Sequence, residues 1–203
     1  MSLFCLFLSI TRMKLAGNNY YLFLNWNLFL AFLPLLFTSM LYGRYSFVKT
    51  NVFRVGVVGV WLLFFPNAPY ILTDLFHLKH YSSIPIWFDL ILILGYAWTG
   101  LMAGFLSLRD VELHIFKHLD IKKRVLMSMI LLFITAFGIY LGRYLRFNSW
   151  DLLQRPETLL FDIVDRFIHP FSHKRTWGMT IGMGVLLNLM YWSPRVLFTE
   201  KVD

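Results

Sequence analysis

Five long apolar stretches alternate with short charged segments along the chain. They are residues 20–42, 55–72, 90–108, 125–142 and 176–194, and none of them contains Lys, Arg, Asp, Glu or His. A membrane-spanning helix needs roughly 20 apolar residues to cross about 30 Å of hydrocarbon, and each stretch is at or near that length. The pattern predicts an all-α membrane protein, a single polytopic domain over residues 1–203 with a bundle of about five transmembrane helices at residues 20–42, 53–72, 86–108, 124–145 and 176–196.

Two shorter apolar segments are predicted to lie beside this bundle. Residues 2–11 form a short N-terminal apolar segment that lacks the basic start and small-residue cleavage site of a signal peptide. Residues 156–169 place Leu159, Ile163 and Phe167 at helical spacing, with acidic residues between them. This second pattern predicts an amphipathic helix in the membrane interface, which we expect to cover the end of the bundle.

The composition is that of a membrane protein, and it limits the classes of partner that the chain is expected to bind. The chain is 58% hydrophobic and 15% charged, whereas soluble proteins average about 25% charged residues. The formal net charge is +8, but the basic residues lie in short loops beside the spans. That placement indicates contact with membrane lipids and not with nucleic acid. The single cysteine excludes an intrachain disulfide framework.

The distribution of basic residues predicts the orientation. Short loops at residues 43–54 and 109–124, together with the C-terminus, carry most of the Lys and Arg that flank spans. The opposite side receives the N-terminus, residues 73–89 and the long segment 143–175. Because basic residues are retained on the cytoplasmic side, the first set of loops and the C-terminus are predicted to be cytoplasmic.

The second span is interrupted by the sequence FFPNAPY. Pro66 and Pro69 each remove a helical hydrogen bond and free the carbonyl four residues earlier. Lipid cannot satisfy such carbonyls, so this backbone must be buried in protein or line a wet cavity. Two interpretations stay open: a packed kink in which the Asn67 amide bonds a loosened carbonyl, or a substrate site that includes Asn67 and Tyr70.

A candidate metal site follows directly after the interrupted span. Asp74, His77 and His80 recur at three-residue steps, which turn toward one side of a helix. Carboxylate and imidazole together suit zinc or another divalent metal. The alternative is capping or headgroup contact by loop residues. With Asp89 and Asp151 predicted on the same side of the membrane, the candidate catalytic residues are Asp74, His77, Asp89 and Asp151.

The segment GRYLRFNSWDLL, residues 142–153, has a different chemistry. Arg143 and Arg146 lie where the fourth span leaves the bilayer, and guanidinium groups form paired hydrogen bonds with phosphate. Arg143, Arg146 and Asn148 are therefore candidate substrate-binding residues. Asn148 or Ser149 is also a candidate cap for a helix that begins near Trp150. Interfacial arginines beside aromatic anchors are the simpler interpretation, but they leave Asp151 unexplained.

The remaining motifs are weaker. His114 and His118 have a spacing that suits metal binding, but they lie in the predicted cytoplasmic loop and are interpreted as a solvated helix face. Gly178 and Gly182 form a GxxxG pattern, which predicts close helix packing within the fold or, alternatively, a homo-oligomer. The sequence contains no nucleophile elbow, Walker loop or dinucleotide fingerprint.

Three of these segments together resemble a bacterial integral-membrane family known as domain of unknown function 1361. They are WLLFFPNAPYILTDLFHL at residues 61–78, WFDL with the glycine-containing span at residues 87–104, and residues 142–153. The resemblance extends from about residue 25 onward. It implies a bacterial inner-membrane location and an all-helical bundle, and it implies no activity.

Three function classes remain open. The first is a metal-dependent enzyme that acts on a lipid or lipid-linked substrate, with the Asp, His and Arg residues above as its site. The second is a small transporter component that uses the interrupted span, although no inverted repeat is visible. The third is a non-catalytic membrane scaffold, in which the same polar residues form an internal hydrogen-bonded network.

Overall fold

A computed structural model of the protein describes residues 1–42, 51–78 and 84–199. All regular elements in these ranges are helical. Three of them are very short: the α-helices Asn67–Tyr70 and Asp151–Gln154 and the 3-10 helix Phe116–His118. The elements are α1 Ser2–Ala16, α2 Phe23–Tyr42, α3 Asn51–Phe64, α4 Asn67–Tyr70, a 3-10 helix Ile71–His77, α5 Ile86–His114, a 3-10 helix Phe116–His118, α6 Ile121–Tyr144, α7 Asp151–Gln154, α8 Pro156–Ile168 and α9 Lys174–Thr199.

Four helical segments are long and apolar enough to cross a membrane, so the predicted all-α membrane class is confirmed. They are Phe23–Tyr42, Val52–His77, Ile86–His114 and Ile121–Tyr144. The fifth predicted span, residues 176–196, lies within α9, a helix of 26 residues. Its glycines, threonines and Asn188 give it a lower hydropathy than the other four. Residues 156–169, predicted to form an amphipathic helix, correspond to α8.

The chain forms two compact units, Met1–Ile115 and Phe116–Asp203, called unit 1 and unit 2 below. In unit 1, α5 is the central helix, and α1, α2 and the interrupted segment all pack against it. The Cys5 thiol lies 3.5 Å from the Thr99 hydroxyl, while Arg12 reaches Asp89. Because residue numbers rise along α1 as they fall along α5, the two helices are antiparallel.

The interrupted span is a packed kink. The Asn67 amide donates to the Phe64 carbonyl at 3.0 Å, and the Ala68 N–H donates to the Phe65 carbonyl at 3.2 Å. Phe65 and Ala68 are buried. Two glycines of α5 make room for this segment. A Cβ at Gly104 would lie 2.7 Å from the Ala68 Cβ, and a Cβ at Gly100 would lie 3.4 Å from the Ala68 carbonyl oxygen.

Helix α5 is longer than its predicted span. It continues past residue 108 to His114, so most of the predicted loop 109–124 is helical. The polar residues of this extension have partners: the Thr38 hydroxyl donates to Asp110 at 2.8 Å, and the Tyr42 ring stacks on His114 at 4.3 Å. The interpretation of His114 and His118 as one helix face is wrong, because His118 lies in a separate 3-10 helix.

Unit 2 is built on the pair α6 and α9. Gly184 of α9 lies directly against the Phe133 ring of α6, where a Cβ would overlap that ring. Nearer the end of α6 at Tyr144, the Phe137 and Trp177 rings stack at 6.1 Å. Helix α8 packs beside these rings through Phe167.

Candidate functional site

An ion pair in unit 1 joins α1 to the start of α5. The Arg12 Nε donates to Asp89 Oδ1 at 3.2 Å, and the two side chains are only 4% and 1% exposed. The same guanidinium donates to Asn18 Oδ1 and lies 4.7 Å from the centroid of the Tyr21 ring. A buried charge is costly unless it is paired and hydrogen-bonded, and both conditions are met here.

Tyr21 connects this ion pair to the segment that carries His77. Its hydroxyl donates to the His77 carbonyl at 3.1 Å. Burial, and next the negative charge of Asp89, raise the pKa of Tyr21 to about 12. The phenol therefore stays protonated throughout the physiological pH range and remains a hydrogen-bond donor. The His77 ring packs edge-on against Phe23, with centroids 5.1 Å apart.

Asp74 is bound to a different helix. The Asn27 amide donates to Asp74 Oδ2 at 2.7 Å, and Asp74 is 1% exposed. One residue earlier, the Thr73 hydroxyl donates to the Tyr70 carbonyl at 2.7 Å, within the same segment. The bond from Asn27 attaches the 3-10 helix to α2. Asp74 and Asp89 thus have separate partners, on α2 and α1 respectively.

The predicted metal triad is only partly described. Asp74 and His77 lie on the 3-10 helix Ile71–His77, whereas His80 lies outside the described residues. Within residues 1–42, 51–78 and 84–199, no group of three or more His, Cys, Asp or Glu residues is placed to hold a metal ion. The triad of Asp74, His77 and His80 therefore stays a prediction.

Sequence reasoning missed the partners of these carboxylates. Neither Arg12 nor Asn27 is among the candidate site residues predicted from the sequence. A second amide of α2, Asn25, accepts from the Tyr96 hydroxyl at 2.6 Å and donates to the Ser9 hydroxyl at 3.4 Å. The available signal was the presence of two asparagines in the otherwise apolar first span, because polar residues within spans are normally paired or functional.

In unit 2, Asp151 organises the segment after α6. Its carboxylate accepts from the Asn148 backbone N–H at 2.7 Å and from Arg155 Nη2 at 3.0 Å. These bonds, that from Asn148 first, hold the pKa of Asp151 below its ordinary value. The predicted capping of this helix by Asn148 or Ser149 is not found, since the N-cap residue is Trp150 and it makes no side-chain cap hydrogen bond. The cation beside Asp151 is Arg155.

Arg146 has an unusual backbone conformation. Its φ is 59°, in the left-handed region, and the Phe147 N–H donates to the Leu141 carbonyl at 3.2 Å. In helices that end in this way, the residue in the left-handed conformation is usually glycine. A residue with a Cβ costs roughly 1–2 kcal/mol in this conformation. The ending projects the exposed Arg146 from the Tyr144 end of α6.

Two histidines of the segment HPFSH share one carboxylate. His169 Nδ1 lies 2.9 Å from Asp165 Oδ1, and His173 Nε2 lies 2.7 Å from Asp165 Oδ2. These hydrogen bonds, from His169 first, lower the pKa of Asp165. Because Asp165 belongs to α8 and His173 immediately precedes α9, the contacts hold the turn between the two helices.

We expect this turn to loosen in acid. The lowered pKa means that Asp165 contributes stability above the ordinary carboxyl value of 3.8 and loses it as the pH falls through its lower folded value. Hydrogen exchange at residues 166–177 should therefore accelerate at low pH. Asp165→Asn should give fast exchange already at neutral pH. Asp120→Asn, which alters an exposed ion pair, is the control, and equal exchange in both variants would contradict the assignment.

The GxxxG pattern of α9 does not pack closely against the described part of the chain. A Cβ at Gly178 or at Gly182 would meet nothing within 4 Å. Close packing within the fold, the first interpretation of this pattern, is therefore not found at these two residues. A homo-oligomer through Gly178 and Gly182 stays a prediction.

The chain has four helical segments that are long and apolar enough to span a membrane, and buried polar pairs join its helices. These features are those of an all-helical membrane protein. The model of a family described as protein of unknown function (DUF1361) matches residues 26–190. The chain belongs to this family, and the resemblance seen in its motifs is confirmed. No curated protein and no solved structure matches the chain.

Proposed function

We propose that the chain is a non-catalytic scaffold of the bacterial inner membrane, with its C-terminus on the cytoplasmic side. One observation carries this proposal. The three carboxylates predicted to be catalytic are each 1% exposed and each accept a hydrogen bond from the chain itself. They are Asp74, Asp89 and Asp151.

Burial of this degree favours a structural role over catalysis. A general acid or base must come within hydrogen-bond reach of the reacting group, directly or through one water. Here Arg12 and Asn27 already occupy positions beside Asp89 and Asp74. Interhelical bonds of this kind tie membrane helices together where the hydrophobic effect cannot. The polar groups then fix the positions of α1, α2 and α5.

A metal-dependent enzyme acting on a lipid-linked substrate is the competing hypothesis. It requires a divalent metal on Asp74, His77 and His80, and a substrate held by Asn67, Tyr70, Arg143, Arg146 and Asn148. The Asn67 amide donates to its own helix, which favours a structural role for this residue.

Metal content separates the two hypotheses. We expect protein purified in detergent without chelators to contain far less than one divalent metal per chain by mass spectrometry. His77→Ala and Asp74→Asn should leave that value unchanged, while Asp74→Asn should lower thermal stability because the bond to Asn27 is weakened. Near-stoichiometric zinc, manganese or iron that is lost in both variants would overturn the scaffold proposal in favour of the enzyme. His118→Ala is the matched control, since His118 lies outside the proposed triad.

A further inference from the structure

Helix α8 directs its apolar side chains away from the protein. Phe161 is 74% exposed, Ile168 is 65% exposed and Phe171, just beyond the helix, is 85% exposed. The residues that α8 buries are Leu159 and Arg166. The expectation that this helix covers the end of the bundle stays a prediction. We call the outward set the apolar arc; its members are Leu160, Phe161, Val164, Phe167, Ile168 and Phe171.

The apolar arc lies beside a membrane-spanning helix and not beyond its end. The Phe167 ring is 5.7 Å from that of Phe137, and the Arg166 guanidinium is 5.9 Å from the Tyr140 ring. Phe137 lies seven residues before the end of α6 at Tyr144, which corresponds to roughly 10 Å along the helix axis. In a bilayer that α6 spans, this contact places the Phe167 end of α8 at the depth of one leaflet.

Basic side chains lie at the same end of α6. The Arg175 guanidinium is 5.8 Å from the Tyr144 ring, and exposed Arg146 follows Tyr144 by two residues. Lys174 is exposed beside Arg175. Three nearby carboxylates have partners of their own: Asp151 pairs with Arg155, Asp162 with Arg166, and Asp165 with both histidines.

We propose that this end of unit 2 is a binding site for an anionic phospholipid. The acyl chains lie on the apolar arc, and Arg146 and Arg175 bind the phosphate. Guanidinium groups form paired hydrogen bonds with phosphate oxygens, and an anionic headgroup gains from each basic residue near the surface. Position 146 holds an arginine in the left-handed conformation, where glycine would be unstrained, and this agrees with a requirement for its charge.

The test is a lipid titration of the full chain in detergent, followed by native mass spectrometry. The probes are phosphatidylglycerol and phosphatidylcholine with identical acyl chains. We expect wild type to bind phosphatidylglycerol more tightly. Because each basic residue contributes about fivefold, the double variant Arg146→Gln/Arg175→Gln should weaken phosphatidylglycerol binding by roughly 25-fold. Phe161→Ser should weaken the binding of both lipids.

The matched control is Lys122→Gln/Lys123→Gln, which removes two exposed charges from the opposite end of α6. We expect this variant to bind phosphatidylglycerol within about twofold of wild type, since its charges lie far beyond one Debye length from the site. Circular dichroism melting confirms that each variant is folded. Equal weakening in the two double variants, equal binding of the two lipids by wild type, or unchanged binding by Phe161→Ser would each overturn the proposal. The last result would indicate that something other than lipid covers the apolar arc.

Discussion

Replacing Gly104 with alanine is expected to lower the free energy of unfolding of unit 1 by about 1–3 kcal/mol, the cost of overpacking a well-packed interior. The new Cβ would lie 2.7 Å from the Ala68 Cβ, closer than two carbon atoms can approach. Helix propensity alone would predict a gain of up to about 1 kcal/mol, so the sign of the effect reports the contact. The free energy of unfolding is measured by reversible unfolding in bicelles, with steric trapping as the readout.

Two further variants make this prediction specific. Gly182→Ala places a Cβ where nothing lies within 4 Å, so it should be neutral or stabilising. Ala68→Gly should rescue Gly104→Ala, because the overlap is between these two Cβ atoms. Destabilisation of equal size at both glycines, or a failure of the rescue, would contradict the packing of the interrupted span against α5.

Breaking the buried ion pair is expected to have the larger effect. Asp89→Asn leaves the Arg12 guanidinium charged and 4% exposed. Removal of one partner from a buried pair typically costs about 3–5 kcal/mol, because an uncompensated charge remains. The same unfolding measurement should show this loss, together with increased hydrogen exchange in α1, which this ion pair joins to α5.

An exposed pair provides the control. Lys123 lies 3.6 Å from Asp120, with side chains 68% and 78% exposed. Lys123→Gln should cost about 1 kcal/mol or less, since water screens such pairs. A loss in Asp89→Asn no larger than in Lys123→Gln would show that Arg12 and Asp89 do not depend on each other.

The sequence predicts the spans well because crossing a bilayer imposes a simple length requirement. This requirement alone predicts the four apolar segments that are long enough to span a membrane, one of which is kinked. The kink itself is also predictable, since proline removes specific hydrogen bonds and asparagine is able to replace one. The far end of α5 is less predictable, because the partner of Asp110 is Thr38, which lies 72 residues earlier in the chain.

The partners of the candidate site residues are the least predictable feature. Periodicity shows that Asp89 lies at the mouth of a span, but it does not show that Arg12, 77 residues earlier, lies opposite. The antiparallel packing of α1 on α5 decides that pairing. In the same way, the sequence does not show that His169 and His173 share a partner, whereas folding brings both histidines to Asp165.

The coupling energy between Arg12 and Asp89 tests most directly whether the buried carboxylates are structural ties. It is obtained from the unfolding free energies of wild type, Arg12→Gln, Asp89→Asn and the double variant. We predict that the double variant is less destabilised than the sum of the single variants, with a coupling within the range of about 0.5–3 kcal/mol seen for contacting residues. Strictly additive losses would contradict this account and leave Asp89 available for a ligand or substrate.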